Sequence, residues 1–260
     1  LLCEALAARR ETLGDKHPDT LSSINSLGLL LRAQDNLAGA EQLLQEAMVG
    51  RRETSGDRHI DTLASMGNFA LLLKDKSDFS GAEPLCREAL AACRATLADV
   101  HPATLSSAHN LGTLLHAQRD LNGAAPLLRE ALDGRRATLG KTHQHTLESI
   151  NNLGALLQEQ DDLAGAAELF DEGLTASRAT LGDRHPATLS YISNLGSLLG
   201  AQGDLAGAAP LLREALAARR ATLGDTHPET LTSINDLGGL LQAQGDLAGA
   251  ALLYRETLAV

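Results

Sequence analysis

The fold class predicted for this 260-residue chain is an all-α solenoid of helix-turn-helix units, and three observations predict it. One phrase recurs: LGDKHPDTL at 13–21, SGDRHIDTL at 55–63, LADVHPATL at 97–105, LGKTHQHTL at 139–147, LGDRHPATL at 181–189 and LGDTHPETL at 223–231. The step between copies is always 42 residues, within the 20–50 window typical of stacked repeats. Between copies, apolar residues recur at helical spacing of three and four rather than in strand alternation.

Counting Leu21 as position 1 of a 42-residue unit, the first helix carries its apolar stripe at positions 4, 7, 8 and 11. Position 4 is Ile24, Met66, Ala108, Ile150, Ile192 and Ile234; position 7 is Leu or Phe; position 11 is Leu throughout. Position 8 is always Gly or Ala (Gly28, Ala70, Gly112, Gly154, Gly196, Gly238), which predicts that a second helix approaches closely there. A turn follows at positions 14–16 and ends on Asn36, Asp78, Asp120, Asp162, Asp204 or Asp246, a residue type that caps a helix start by accepting orphan backbone N–H bonds. The second helix has Ala at position 20 in every unit, Leu, Cys, Phe or Tyr at position 24, and a small residue at position 27. Gly at position 19 disfavours helix by about 1 kcal/mol relative to Ala, and close helix packing is the expected reason. Pro84, Pro126 and Pro210 lie one turn inside this helix and are expected to bend it slightly. Basic pairs such as Arg219-Arg220 near its end suit the helix dipole. Gly224 and its equivalents then supply a left-handed cap, and Pro228 and its equivalents begin the next first helix at N1.

Composition narrows the function. Charged residues are 21%, aromatic residues 2%, and Trp is absent, so the core is built from Leu, Ala and Ile. The net charge of −11 argues against nucleic-acid binding, which needs clustered cations. No apolar run approaches the roughly 20 residues that span a bilayer, and no secretory leader is recognisable at the start, so a cytoplasmic location is expected. Cys3, Cys86 and Cys93 form no C-x-x-C and read as small buried thiols.

The apolar and small residues at positions 4, 7, 8, 11, 20, 24 and 27 resemble the tetratricopeptide repeat, lengthened from about 34 residues to 42. With L-G-x-x-H-P-x-T and A-Q-G-D-L-x-x-A-x-x-L, the 42-residue form resembles the repeats of kinesin light chains; similar arrays occur in nephrocystin-3-like proteins and as arms on NB-ARC-type NTPases. The resemblance covers essentially the whole chain. It implies a right-handed superhelix forming one array over 1–260: a half repeat at 1–12 and units at about 13–54, 55–96, 97–138, 139–180, 181–222 and 223–260. Leu1 and Val260 would fall inside second helices, as in a piece of a longer array.

In such a superhelix, positions 2, 5, 6, 9, 12 and 13 of the first helix line a concave groove. Position 6 is Ser26, Asn68, Asn110, Asn152, Asn194 and Asp236, and position 5 adds Asn25, His109, Asn151 and Asn235. A ladder of Asn can hydrogen-bond the backbone of an extended peptide; the plainer alternative is that these amides stabilise neighbouring helix turns. Position 12 runs Arg32, Lys74, His116, Gln158, Gly200 and Gln242, and position 9 opens with Leu29 and Leu71. The N-terminal half of the groove thus suits an acidic peptide with an apolar anchor, as kinesin light chains take, although Asp75, Glu148 and Glu159 share that face. His109 and His116, seven apart on it, could make binding pH-sensitive.

No catalytic or cofactor motif stands out. The six His at position 39 (His17, His59, His101, His143, His185, His227) lie a whole hairpin apart, too far to share a metal ion, and read as structural residues at the helix start; His143 and His145 do not share a helix face. No phosphate loop, H-E-x-x-H or nucleophile elbow occurs. The expected function is peptide or protein binding without catalysis, metal or cofactor. A regulatory arm of an NB-ARC-type NTPase, or an array that self-associates end to end, are the other readings.

Overall fold

The computed structural model describes residues 2–258, with side chains from Cys3 to Arg255. The expected array ends at Leu1 and Val260 lie outside the described residues. Thirteen helices and no strand occur among those described: α1 Leu2–Leu13, α2 Pro18–Ala33, α3 Leu37–Ser55, α4 Ile60–Asp75, α5 Phe79–Thr96, α6 Pro102–Ala117, α7 Leu121–Leu139, α8 Gln144–Glu159, α9 Leu163–Leu181, α10 Pro186–Ala201, α11 Leu205–Leu223, α12 Pro228–Ala243 and α13 Leu247–Leu258. The chain divides into two compact units, Leu1–Thr138 and Leu139–Val260, each a stack of antiparallel helical hairpins.

Within a hairpin the glycine of position 8 receives the side chain of position 24. A Cβ on Gly28 would lie 2.8 Å from Leu44, one on Gly112 2.9 Å from Leu128, and one on Gly154 2.5 Å from the Phe170 ring. Within each unit, neighbouring first helices touch: α4 on α6 and α10 on α12. Second helices α3 and α5, or α9 and α11, nowhere come within 8 Å between Cα atoms. The first-helix side of each unit is therefore the tighter, inner side. The splayed second helices are tied by long side chains instead, for Arg10 reaches Glu46, Arg52 reaches Glu88, Arg94 reaches Glu130 and Arg178 reaches Glu214, at 2.5–2.7 Å. These arginines complement the helix dipole as expected but also bridge to the following hairpin; each exposed pair contributes at most about 1 kcal/mol.

The caps follow the sequence with three refinements. Asn36, Asp78, Asp162 and Asp204 cap their helices, accepting from the N–H of the position-19 glycine at 2.9–3.1 Å. That glycine is explained by the cap as much as by packing: a Cβ on Gly81 would lie 2.6 Å from the Asp78 carboxylate and 3.2 Å from Leu73. The position-39 histidines are N-caps, each Nδ1 accepting a backbone N–H two residues on at 3.1–3.2 Å, as in His101 to Ala103. The terminal glycines have positive φ but ψ near 170°, as in Gly182 (φ 87°, ψ 166°) and Gly224 (φ 85°, ψ 170°), an extended glycine-only conformation rather than the expected left-handed helical one. Where Ala98 replaces that glycine, α5 stops earlier, and Leu97 caps it at φ −124°. The left-handed residues sit in the intra-hairpin turn instead: Asp35, Ser77, Arg119 and Asp161, with Gly at 203 and 245. The helices run unbroken through Pro84, Pro126 and Pro210.

Cys86 and Cys93 are buried, and burial pushes the Cys86 thiol up to about 11. Cys3 is exposed, contrary to expectation. It occupies position 25, a column otherwise filled by Gln45, Arg87, Arg129, Asp171, Arg213 and Arg255 that faces water.

Two stability outcomes follow from the glycines. Gly182→Ala is expected to lower stability by about 1–3 kcal/mol through backbone strain alone, because a Cβ there meets nothing within 4 Å. Gly239→Ala, inside α12 and also facing open space, is expected to raise it by up to about 1 kcal/mol. Urea unfolding followed by circular dichroism measures both. A native-state thiol titration should label Cys3 fast, and Cys86 and Cys93 only at the rate of unfolding.

Candidate functional site

The inner face of each unit is the surface of its first helices, where the position 5 and 6 side chains of neighbouring hairpins meet. In the N-terminal unit Asn68 of α4 donates from Nδ2 to Oδ1 of Asn25 on α2 at 3.1 Å. In the C-terminal unit Asn194 of α10 makes the same bond to Asn151 on α8 at 2.7 Å. Each pair bridges two hairpins with a single bond, which uses neither the position 6 Oδ1 nor the two N–H groups of the position 5 Nδ2. Sequence reasoning named these asparagines but not their pairing, which is visible only once positions 5 and 6 of successive units are laid side by side.

The seam between α4 and α6 differs. Position 5 there is Gly67, which brings Asn110 close: its Nδ2 lies 3.0 Å from where a Cβ on Gly67 would be. With no side chain opposite, the half-buried Asn110 amide makes no side-chain hydrogen bond. Between α10 and α12 the pair is Ser193 and Asp236, and burial raises the Asp236 carboxyl above the usual range, opposed by Arg219.

Other expected groove residues take different places. Arg32 is held by Asp75, Nε to Oδ2 at 2.6 Å, so the two charges on that face cancel. Lys74 and Leu71 are half-buried beside them. His109 is buried at 9% exposure; His116, Asn152 and Gln158 are half-buried, and Asn235 is exposed. Glu148 lies 3.1 Å from His145 Nδ1 and from Gln144 Nε2. Position 9 and 12 glycines in the C-terminal unit leave a hollow of about 320 Å³ lined by Ser197, Gly200, Asn235, Asp236, Gly239 and Leu240.

A second polar layer, exposed at Arg9, half-buried at Arg51 and buried at Arg219, runs through the seams, and sequence reasoning missed it. Position 31 of a second helix reaches position 3 of the next first helix. Arg9 donates to Ser23. Arg51 donates to Ser65 Oγ at 2.7 Å, the Asp61 carbonyl at 3.1 Å and Ser22 Oγ on the preceding first helix at 3.1 Å. Arg219, 5% exposed, donates to Ser233 at 2.6 Å and Ser193 at 2.9 Å. The signal was the position-31 column itself, Arg9, Arg51, Cys93, Arg135, Ser177 and Arg219, facing Ser23, Ser65, Ser107, Ser149, Tyr191 and Ser233 at position 3.

Among the described residues no cluster of three or more His, Cys, Asp or Glu could hold a metal ion, and no helix is long and apolar enough to cross a membrane.

Comparison with known proteins agrees with this architecture. Family models described as tetratricopeptide repeat match residues 20–61, 61–137, 145–221 and 193–260. Among solved structures, nearly identical TPR-like repeats from a Podosopora anserina protein assigned to the kinesin light chains are 27% identical, with a TM-score of 0.68 over 77% of this chain and 95% of that one. BtubC (BKLC) of P. vanneervenii is 20% identical, with a TM-score of 0.70 over 87% of this chain and 89% of that one. The apo form of RapI is 14% identical, with a TM-score of 0.71 over 99% and 89%. The last two share the fold. Comparison with curated protein sequences gave no significant match.

Asn194→Ala is expected to cost about 1 kcal/mol, with a coupling of about 0.5–1.5 kcal/mol to Asn151→Ala in a double-mutant cycle measured by urea unfolding.

Proposed function

The chain belongs to the tetratricopeptide repeat family, a protein-interaction scaffold, and from that premise we propose that the inner face of each of its two units holds an extended peptide segment by its backbone. The observation that carries this reading is Asn110, an amide on the inner face with both its donor and its acceptor unused because Gly67 stands opposite. A peptide group offers the complementary acceptor and donor in one plane. The Asn25–Asn68 and Asn151–Asn194 pairs each keep groups of both kinds, the position 6 Oδ1 and the position 5 amide N–H. Backbone recognition of this sort grips a chain with little regard to its side chains.

The side-chain preference proposed over the N-terminal unit rests on Lys74 and Leu71. Arg32 is neutralised by Asp75, so Lys74 is the cation available to an acidic residue there, and Leu71 is the apolar contact beside it. The ligand thus carries an acidic residue next to an apolar one, as in the kinesin light chain reading. The module works as a non-catalytic cargo or adaptor array over 1–260 in the cytoplasm, taking peptide or protein rather than nucleic acid or membrane, and needs no cofactor.

A peptide array probed with the full chain tests this. For peptides that bind, Asn110→Ala is expected to weaken affinity about fivefold, the equivalent of about 1 kcal/mol for one lost hydrogen bond, while leaving the unfolding midpoint unchanged. Affinities that all survive Asn110→Ala would overturn the backbone-grip reading.

A further inference from the structure

The inner face of the C-terminal unit contains an irregular seam between α8 and α10. Position 31 here is Ser177, where Arg219 and Arg51 stand in other seams, and position 3 is Tyr191, where serine stands. Position 27, alanine at 47, 89, 131 and 215, is Gly173 here, because a Cβ would overlap the Tyr191 ring. The phenol donates to the Leu147 carbonyl of α8. Tyr191 thus reaches from α10 to α8 within the core, 2% exposed.

The seam between α4 and α6 also lacks the arginine, with Cys93 in its place. There the cysteine lies 3.5 Å from Ser107 Oγ and Gly67 lets the two helices close up. The α8–α10 seam has no such closure. It keeps a cavity of about 300 Å³ walled by Glu148, Asn151, Ala187 and Tyr191 and, towards the end of α9, by Leu181 and His185.

Those walls correspond to the partners of the arginine in an intact seam. Arg51 is held by position 2 of the preceding first helix (Ser22), the position-41 carbonyl (Asp61) and position 3 (Ser65). The equivalents around the cavity are Glu148, Ala187 and Tyr191. A neutral hydroxyl acceptor has become a carboxylate, and the second hydroxyl an aromatic ring. A carboxylate, a carbonyl and an aromatic ring suit a planar cation, and the chain carries −11 overall.

We propose that this cavity is a side-chain pocket for an arginine of the bound peptide, whose guanidinium takes the place that the chain's own position-31 arginine fills in intact seams. The proposal rests on the peptide-binding reading and gives the C-terminal unit a cationic anchor of its own. Glu148 supplies the charge. It can accept the guanidinium while keeping Gln144 and His145, since a carboxylate offers about four acceptor sites.

Tyr191 makes the test direct, because the chain has only one other tyrosine, Tyr254. The full chain with ring-labelled tyrosine is titrated with N-acetyl-arginine methylamide, with the lysine analogue, and with the uncharged, nearly isosteric citrulline analogue, and followed by NMR. The expected result is a saturable shift of the Tyr191 ring signals with the arginine compound, little with the other two, and a silent Tyr254. Glu148→Gln should weaken that binding about tenfold, the scale of one charge-assisted hydrogen bond. Ser177→Arg should abolish it by filling the pocket from within, with circular dichroism confirming the fold. A Tyr191 signal unmoved at millimolar arginine compound, or moved equally by citrulline or lysine, overturns the proposal. Peptide binding lost through Asn110→Ala tests the other unit, so either idea can fail while the other stands.

Discussion

The approach of two helices over a glycine is the constraint on which the rest of this architecture depends. At Gly28, Gly112, Gly154 and Gly196 the second helix lays a leucine or phenylalanine directly on the first-helix backbone, with no room for a methyl group. That contact sets the hairpin. It directs positions 4, 7 and 11 into the core, because a helix that buries position 8 must bury its neighbours three and four residues away. It turns positions 5, 6, 9 and 12 of the same helix away from the hairpin's own core, and so creates the face on which any ligand is met. The chain has few aromatic residues to compensate for a lost contact, so tight backbone approach takes the place of large side chains.

Between hairpins the two sides are held differently. First helices touch, and polar side chains lie between them: amide pairs near the surface, and arginine with serine beneath. Arginine is costly to desolvate, so a guanidinium in a seam needs several acceptors: half-buried Arg51 finds a hydroxyl and a carbonyl on the N-terminal turn of the next first helix, and buried Arg219 finds the hydroxyls of Ser193 and Ser233. Second helices do not touch and are joined by Arg–Glu bridges long enough to span the gap. The difference between a packed side and a bridged side puts the first helices on the inside of each unit.

The helices, their order and most caps were legible in the sequence, because each is set by local chemistry repeated at a fixed step. Asp78 before Phe79 and Pro102 after His101 state where a helix starts wherever the chain goes afterwards. Other features were not local. His101 was expected to act structurally at the helix start, but a histidine is unusual among N-caps, and the form of that role is set by the Nδ1 bond to Ala103. Gly182 announced a positive φ, but sequence cannot tell left-handed helical from left-handed extended backbone, since glycine alone tolerates both. Cys3 was legible and misread, because cysteine as a residue type was weighed above the charged column it shares with Arg87 and Arg129. The amide row was found and its pairing was not, for Asn25 and Asn68 stand 43 residues apart and meet only when two hairpins stack.

A repeat protein also changes what counts as a signal. In an ordinary domain an unusual residue is compared with an average; here it is compared with its own equivalents one repeat away, in nearly the same surroundings. By that standard the most informative positions are those where several columns depart together. Gly173, Ser177 and Tyr191 do so in one seam: the ring requires the glycine and stands at the position where a serine faces the arginine in intact seams. At Cys93 the same arginine is lost and the first helices draw together on Gly67, so its absence does not by itself leave space. In the α8–α10 seam space remains beside a rigid side chain, the phenol bonded to the Leu147 carbonyl. A cavity kept open against collapse costs packing energy that closure would recover. That cost is the physical reason to read the α8–α10 seam as a place for a ligand rather than as a lapse in the repeat.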